Sequence, residues 1–565
     1  MLLLCHKLSS YRMSDPASKR DSSQTPGTVY LITSDGQVLR LPIPANCSCD
    51  PLNWCPEKRT SIFLALAFFG STAFVALQGA SSMFEFLSRE YTLEDTMPFN
   101  LTILSTAPTM CMGLGAFFWI PSSLALGRRP VLLIAATTLL ISMIVASVAV
   151  GFHVLLAALS IVGFASGITT SMVWSKKYVP YHVAPNNCQV LLVIIEITFI
   201  HERPAAIAGT WGIIASLSFG IYTFVPMIAA AGGGWRMFYR IWIIPCVLSL
   251  FLIFFLCPET YFLRPDLALD GRILVQSATE KIYLYDEVPC PPENGIDHSL
   301  PGSSGLNFSM EDLKFWGKTV GGFKAMRDCY RQVFLCILNP LLLWVALLQA
   351  AIFGSLVSSG ETYVLVLSSD FYSLSGNQIA LFNLASALGA ILSWPVSAYT
   401  ITAVSQRLTK RNKGTCNAEY YLPAFILPAL TGAGGTILYG AATELKWHWS
   451  WIYLSTVLLS ISYVGFGTAN TLWVTEAFPR WAGPALVVVA GESYLISFAI
   501  SYTIMPWWRS QGYLKMNGMI AVIILAVGFI GVPVAFWGKK LRQHIHGKWA
   551  ISEAGALRPK PTGIP

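Results

Sequence analysis

Twelve runs of mostly apolar residues, each roughly twenty long, dominate this chain. They fall at about 60–82, 100–124, 131–151, 154–172 (resuming at 190–200), 207–231, 236–257, 334–357, 377–400, 422–442, 450–474, 483–506 and 517–537. A bilayer core about 30 Å thick needs about 20 such residues per helix. Lipid offers no partner for backbone polar groups, so runs of this length must satisfy them internally and are expected to be helices. Composition points the same way. Hydrophobic residues make up 54% of the 565 and charged residues 12%, against about 25% charged in a soluble domain. These values exclude a soluble multi-domain enzyme and a disordered scaffold, which is polar and poor in aromatics. The 12 cysteines are scattered and form no paired Cys-x-x-Cys knuckles, so neither a disulfide framework nor a zinc site is expected. The fold class expected is an all-α membrane protein with twelve transmembrane helices.

Lysines and arginines in the short loops set the orientation. With the N-terminus in the cytosol, the cytosolic loops receive Lys58, Arg59, Arg128, Arg129, Arg203, Arg407, Lys410, Arg411, Lys413, Arg480, Lys539, Lys540 and Arg542. The other side receives Arg89, Arg236, Arg240, Lys446, Arg509 and Lys515, with Glu85, Glu90, Glu94 and Asp95 beside them. Both termini are then cytosolic in a multi-pass protein of the cell membrane, with the vacuolar membrane as the alternative. The net charge of +8 follows from this topology and implies no nucleic-acid partner. Polar residues 1–59 read as a cytosolic tail and the Pro-, Gly- and Ser-rich 263–332 as a cytosolic linker. These segments bound a first six-helix bundle at 60–262 and a second at 333–540, with a tail at 541–565. Gly127-Arg-Arg-Pro130 and Arg407-Leu-Thr-Lys-Arg-Asn-Lys-Gly414 each follow the second helix of their block, the mark of a parallel repeat.

Several segments carry a resemblance. They are Pro26-Gly-Thr-Val-Tyr-Leu31, Asp50-Pro-Leu-Asn-Trp54, the run from Trp119 to Pro130 that holds Gly127-Arg-Arg, Phe199-Ile-His-Glu-Arg203, Gly234-Trp-Arg236, Pro258-Glu-Thr260, Lys410-Arg-Asn-Lys-Gly414 and Gly538-Lys-Lys-Leu-Arg542. In this order, over nearly the whole chain, they resemble the major facilitator superfamily. Within it they are similar to the fungal twelve-helix branch of drug:proton antiporters and histidinol/polyamine-type transporters. The chain departs from the family pattern at Leu124, where an Asp is usual, and has no Arg within 154–172. The fifth run has Gly212, Gly220 and Pro226 but no Gly-Pro-x-x-Gly-Gly. The resemblance implies two pseudo-symmetric six-helix bundles that rock around a central cavity.

Candidate residues follow from polar groups at membrane depth. An ionisable side chain there costs at least about 2.5–3.5 kcal/mol on insertion scales, so it marks function by default. Glu492, about ten residues into the eleventh run, is the candidate for proton carriage or for a counter-charge to a cation; structural glue between helices is the bland reading. The resemblance implies a cytosolic gate in which Glu196 meets Arg128 and Arg129 beside Gly127. Glu476 would be its equivalent in the second half, with Arg407 or Arg411 as partner. Gln78, Gln349, Asn383, Asn470 and Trp473 are candidates for the cavity wall, against a role as helix–helix glue. Gly163 and Gly167 read as a packing pair, and His153 as a solvated turn residue.

No Walker loop is present, and no His/Cys cluster has metal spacing. The chain therefore reads as a non-enzyme without cofactors, monomeric, with protons, a small molecule and the bilayer as its partners. The leading reading is proton-coupled efflux of a small organic compound, such as a secondary metabolite, toxin or drug. The alternatives are proton-coupled import of polyamines or other organic cations, and a transporter-like sensor. One segment, 173–189, holds two lysines, two prolines and two asparagines inside the fourth run. Its removal would join Met172 to Val190 in frame, and its ends can be encoded as the ends of a short intron. It reads as a retained intron, with a true helix break as the alternative.

Overall fold

The computed structural model describes residues 28–30, 56–170, 203–229, 234–258, 273–276, 282–285, 322–412, 415–478 and 481–554. The first half contains α1 (Pro56–Ser82), the short α2 (Phe84–Glu90) and α3 (Leu93–Thr96), then α4 (Ile103–Leu126), α5 (Arg128–Val148) and α6 (Phe152–Thr170). It continues with α7 (Arg203–Tyr222), α8 (Val225–Ile228) and α9 (Gly234–Leu256). A hairpin of β2 (Ile273–Gln276) and β3 (Ile282–Tyr285) follows, and then α10 (Gly322–Ile337) leads into the second half. That half holds α11 (Pro340–Leu367), α12 (Gly376–Arg411), a 3-10 turn at Ala418–Phe425, α13 (Ile426–Glu444), α14 (Trp449–Ala477), α15 (Ala482–Gln511), α16 (Tyr513–Phe529) and α17 (Gly531–Ala554). Among the described residues, 12 helical segments are long and apolar enough to cross a bilayer, six in each half. Large apolar side chains such as Ile244, Phe251, Leu392 and Val522 remain exposed on the outer surface, as they must where lipid replaces water.

Small residues bring the helices together. Backbone can approach backbone closely only where no side chain intervenes, and membrane helices rely on this packing. Gly163 and Gly167 of α6 face the α4 backbone at Pro108 and Met112, and Gly115 of α4 faces Phe164 in return. The packing reading of Gly163 and Gly167 therefore holds. His153 is exposed, as expected, but stands in the first turn of α6 rather than in the connecting turn.

Several elements depart from the expected limits, among them α12, which runs to Arg411 rather than ending near 400. The seventh span begins at Pro340, not near 334, because Asn339 caps it: Asn339 Oδ1 accepts from the Leu341 amide at 3.0 Å. Pro suits the first helical position, where its missing N–H would find no helical partner anyway. The span then runs on to Leu367, which places Glu361 inside it. In addition, part of the N-terminal tail is structured. β1 (Thr28–Tyr30) pairs antiparallel with β4 (Thr415–Asn417), register Thr28↔Asn417, so the tail is tied to the loop between α12 and α13. The segment 173–189, the resumed run 190–200 and Glu196 all lie outside the described residues.

Candidate functional site

The basic loops gather at one end of the bundle, here termed the basic face. Gly127 turns the chain between α4 and α5 with φ +96°, a conformation that any other L-residue resists. The turn delivers Arg128 and Arg129 into the protein, each 2% exposed. Arg129 Nη2 donates to the Phe254 carbonyl at 2.8 Å, and its guanidinium sits over the Phe254 ring. It therefore ties α5 to the end of α9 within the first half. Glu196, the expected partner of these arginines, is not among the described residues.

Glu476 at the end of α14 is paired, but with Arg203 rather than with Arg407 or Arg411. Arg203 Nη1 lies 3.1 Å from Glu476 Oε1, with both side chains largely buried. The correction has a geometric cause. α12 is 36 residues long, well beyond the roughly 20 needed to cross, so its last turns project and leave Arg407 and Arg411 exposed. Arg203 begins α7 level with the end of α14, and the pair joins the two halves. Within the second half, Arg542 Nε donates to Glu419 Oε1 at 3.0 Å and Nη1 donates to the Ala477 carbonyl at 3.2 Å. Arg542 thus does for the second half what Arg129 does for the first, reaching from the opposite member of the helix pair. The acid Glu419 was not singled out in the sequence, because it sits at the rim of a span among polar neighbours.

At the other face, Arg236 of Gly234-Trp-Arg236 forks onto Glu90. Nη2–Oε1 is 2.7 Å and Nη1–Oε2 is 3.0 Å, while Trp235 Nε1 donates to the same carboxylate at 2.7 Å. Arg236 Nε also donates to the Ala149 carbonyl at the end of α5. The hydrogen bonds from Arg236 hold the Glu90 carboxyl below its ordinary range.

Between the halves lies a chamber lined by Phe74, Gln78, Ser81, Phe219 and Tyr222 from the first half, and by Phe353, Glu361, Phe382, Asn383 and Thr456 from the second. Aromatic rings from both halves stand in its wall beside aliphatic and polar side chains. Its polar groups are organised: Tyr222 Oη donates to the Gln78 carbonyl at 2.8 Å and lies 2.6 Å from Ser81 Oγ. Asn383 Nδ2 donates to Tyr363 Oη at 3.2 Å. Ser105 Oγ of α4 donates to Glu361 Oε1 at 3.3 Å, across the boundary between the halves. Glu361 Oε2 is buried with no hydrogen-bond partner among the described residues. A second chamber shares Phe74 and is lined by Gly70, Met112, Ser166, Thr210, Trp211, Tyr463 and Tyr494. There Trp211 Nε1 is likewise buried without a partner among the described residues. On the basic side of these chambers the halves touch: a Cβ on Gly467 would lie 2.8 Å from the Trp211 ring, and one on Gly212 2.7 Å from Trp394 Cβ.

Of the expected cavity residues, Gln78 and Asn383 line the chamber and three do not. Gln349 and Asn470 are bonded to each other, Asn470 Nδ2 to Gln349 Oε1 at 2.9 Å, between α11 and α14. Trp473 is 1% exposed and packs against Trp344, Phe425 and Phe478. All three hold the second half together. Glu492 also stands outside both chambers. Its Oε2 is buried without a hydrogen-bond partner among the described residues, and Cys336 of α10 lies within its electrostatic reach. The seventh run as read from the sequence ends at 357, short of Glu361. The apolar continuation Tyr363-Val-Leu-Val-Leu367 was the signal that the span passes beyond it. No group of three or more His, Cys, Asp or Glu able to hold a metal occurs among the described residues.

Comparison with known proteins completes the picture. The description of the Major Facilitator Superfamily matches residues 60–491. Protein HOL1 of Saccharomyces cerevisiae is 22% identical, over 90% of this chain and 91% of its own length. The probable efflux pump mfs2 of Aspergillus flavus is 23% identical over 39% of this chain and 52% of its own length. Among solved structures, the proton:xylose symporter XylE superposes with a TM-score of 0.53 at 15% identity, covering 88% of this chain and all of that one. The likeness to the solved structure shows the fold alone. The twelve spans in two halves and the match over most of the length agree: the chain belongs to the Major Facilitator Superfamily and is a multi-pass membrane transporter, not an enzyme.

Proposed function

We propose that this transporter exchanges protons for a small organic cation with an apolar or aromatic body, carrying it out of the cell by alternating access of its two halves. The observation that supports this most is Glu361: a carboxyl at membrane depth, open to a chamber walled by Phe74, Phe219, Tyr222, Phe353 and Phe382. A carboxylate kept there needs a proton or a cationic partner. Aromatic faces attract cations as well as apolar surface. A proton and an organic cation competing for one carboxylate is the simplest coupling such a site allows. Asn383, Gln78 and Tyr222 supply polar contacts that orient the cargo. Phe74 separates this chamber from the one nearer the basic face, and Glu492 serves as a second proton site away from the cargo.

In this reading the basic face is cytosolic, as the lysine and arginine bias requires, and the protein works as a monomer in the cell membrane. The efflux pump named above is similar to part of this chain, which favours export. The test is flux into vesicles holding the purified full-length protein, with a fluorescent aromatic cation as probe. Exchange predicts accumulation in vesicles made acidic inside, abolished by a protonophore. Accumulation in vesicles made alkaline inside would reverse the coupling to symport and support import. Binding without flux would support a sensor.

A further inference from the structure

The helix that joins the linker to the second half lines neither chamber. α10 (Gly322–Ile337) packs on α4 and α15 and runs through a short break at Leu338 and Asn339 into the membrane span α11. Wound at 3.6 residues per turn, its side chains divide into three stripes. Ala325, Cys329, Val333 and Cys336 are buried against the protein. Beside them, Phe323 (75% exposed), Phe334 (65%) and the partly covered Tyr330 and Ile337 form an apolar stripe that the protein leaves exposed. Next around the helix come Lys324, Arg327 and Arg331, all exposed and in no ion pair among the described residues. Asp328 and Gln332 lie between the basic and buried stripes and are half-buried.

Chain continuity says what covers the apolar stripe. It passes through Leu338, 70% exposed, to Leu343 and Leu347 on the outer surface of α11, which faces hydrocarbon. A helix with an uncovered apolar face, a basic stripe beside it and a membrane span at its end lies in the plane of the interface. Its apolar stripe dips below the headgroups, and its cations then stand at phosphate level. We propose that α10 binds anionic phospholipids of the leaflet at the basic face, with Lys324, Arg327 and Arg331 holding their headgroups. A lipid fits better than a soluble partner because the apolar stripe and the cations share an edge, as acyl chain and headgroup do. The site joins both halves: α10 rests on α4 of the first and α15 of the second.

Native mass spectrometry of the full-length protein, purified with equal amounts of phosphatidylserine and phosphatidylcholine, tests this without reference to transport. Wild type should retain phosphatidylserine preferentially. The triple variant Lys324→Gln, Arg327→Gln, Arg331→Gln should lose more than tenfold of that preference, since each cation near an anionic surface contributes about fivefold. The charge-conserving variant Lys324→Arg, Arg327→Lys, Arg331→Lys should keep it. No preference in wild type, full preference in the triple variant, or loss in the charge-conserving one overturns the proposal. If the triple variant does not fold, wild type in about 0.5 M salt replaces it, because screening should remove a headgroup preference that rests on charge. Displacement of phosphatidylserine by millimolar inorganic phosphate would mark a site for a free anion and equally overturn it.

Discussion

Arg203 and Glu476 meet at 3.1 Å across the boundary between the two six-helix halves, one at the start of α7 and the other at the end of α14. Under the alternating access proposed above, an ion pair in this place has to break when the basic face opens. Replacing either residue with Ala should therefore favour opening, and Thr210→Cys, on the wall of the second chamber, should be labelled faster from the basic side. Residues in direct contact are coupled, by about 0.5–3 kcal/mol. The double variant should thus label no faster than the single ones, and simple addition of the two effects would show that the pair is not a latch.

The bundle was legible in the sequence for a plain reason: twenty apolar residues in lipid have few options other than a helix. The wall of the chamber was far less so. In a soluble helix polarity separates the core side from the water side. A membrane helix is apolar toward lipid and toward its neighbours alike, so periodicity does not tell Gln349 and Asn470, which bond each other, from Gln78 and Asn383, which face the chamber. Glu476 was legible as a candidate for an ion pair at the basic face, but its partner was not, since loop charges reveal the face of the membrane and not the distance between two side chains.

The clamp between Glu90 and Arg236 gives stability a pH dependence of known sign. Arg236 holds the Glu90 carboxyl below its ordinary value of 4.5, so the folded protein resists protonation there more than the unfolded chain does. The contribution is complete above about pH 4.5 and is lost as acidification proceeds below it. Glu90→Gln should lower the melting temperature in detergent at neutral pH, and the gap to wild type should narrow steadily as the pH falls below 4.5. A gap that does not change with pH would assign the stabilisation to something other than this carboxylate.

Two glycine contacts separate folding from gating. A Cβ on Gly163 would run into the Pro108 carbonyl within the first half, where only backbone can yield. Gly163→Ala should therefore destabilise the protein by about 1–3 kcal/mol, the usual range for overpacking. A Cβ on Gly491 would meet the Phe117 ring across the halves, and a ring can turn away as the halves part. Gly491→Ala should leave the melting temperature near wild type while speeding the labelling of Thr210→Cys. Gly434→Ala, with open space around it, serves as the neutral control. Equal thermal losses at Gly163 and Gly491 would deny that the second contact belongs to one state of the cycle.

Glu361 and Glu492 are both buried carboxyls with an oxygen that no described residue engages, yet only Glu361 faces the chamber. This difference in place predicts a difference in kind. Glu361→Gln keeps the shape of the side chain but removes its charge, and a charged hydrogen bond contributes about 1.5–3 kcal/mol. Binding of a fluorescent aromatic cation to the purified variant should weaken by about 10–100-fold. Asn383→Ala, on the same wall, should weaken it less, since the group lost is neutral. Glu492→Gln touches no cargo and should bind the probe as wild type does, while its flux loses dependence on the proton gradient. Titration of the probe against each variant, followed by flux at two pH gradients, separates the roles. If Glu361→Gln binds the cation normally, the chamber is not the cation site. If Glu492→Gln transports with full pH dependence, proton coupling rests on Glu361 alone, and the one carboxylate must then release its proton before the cation can enter.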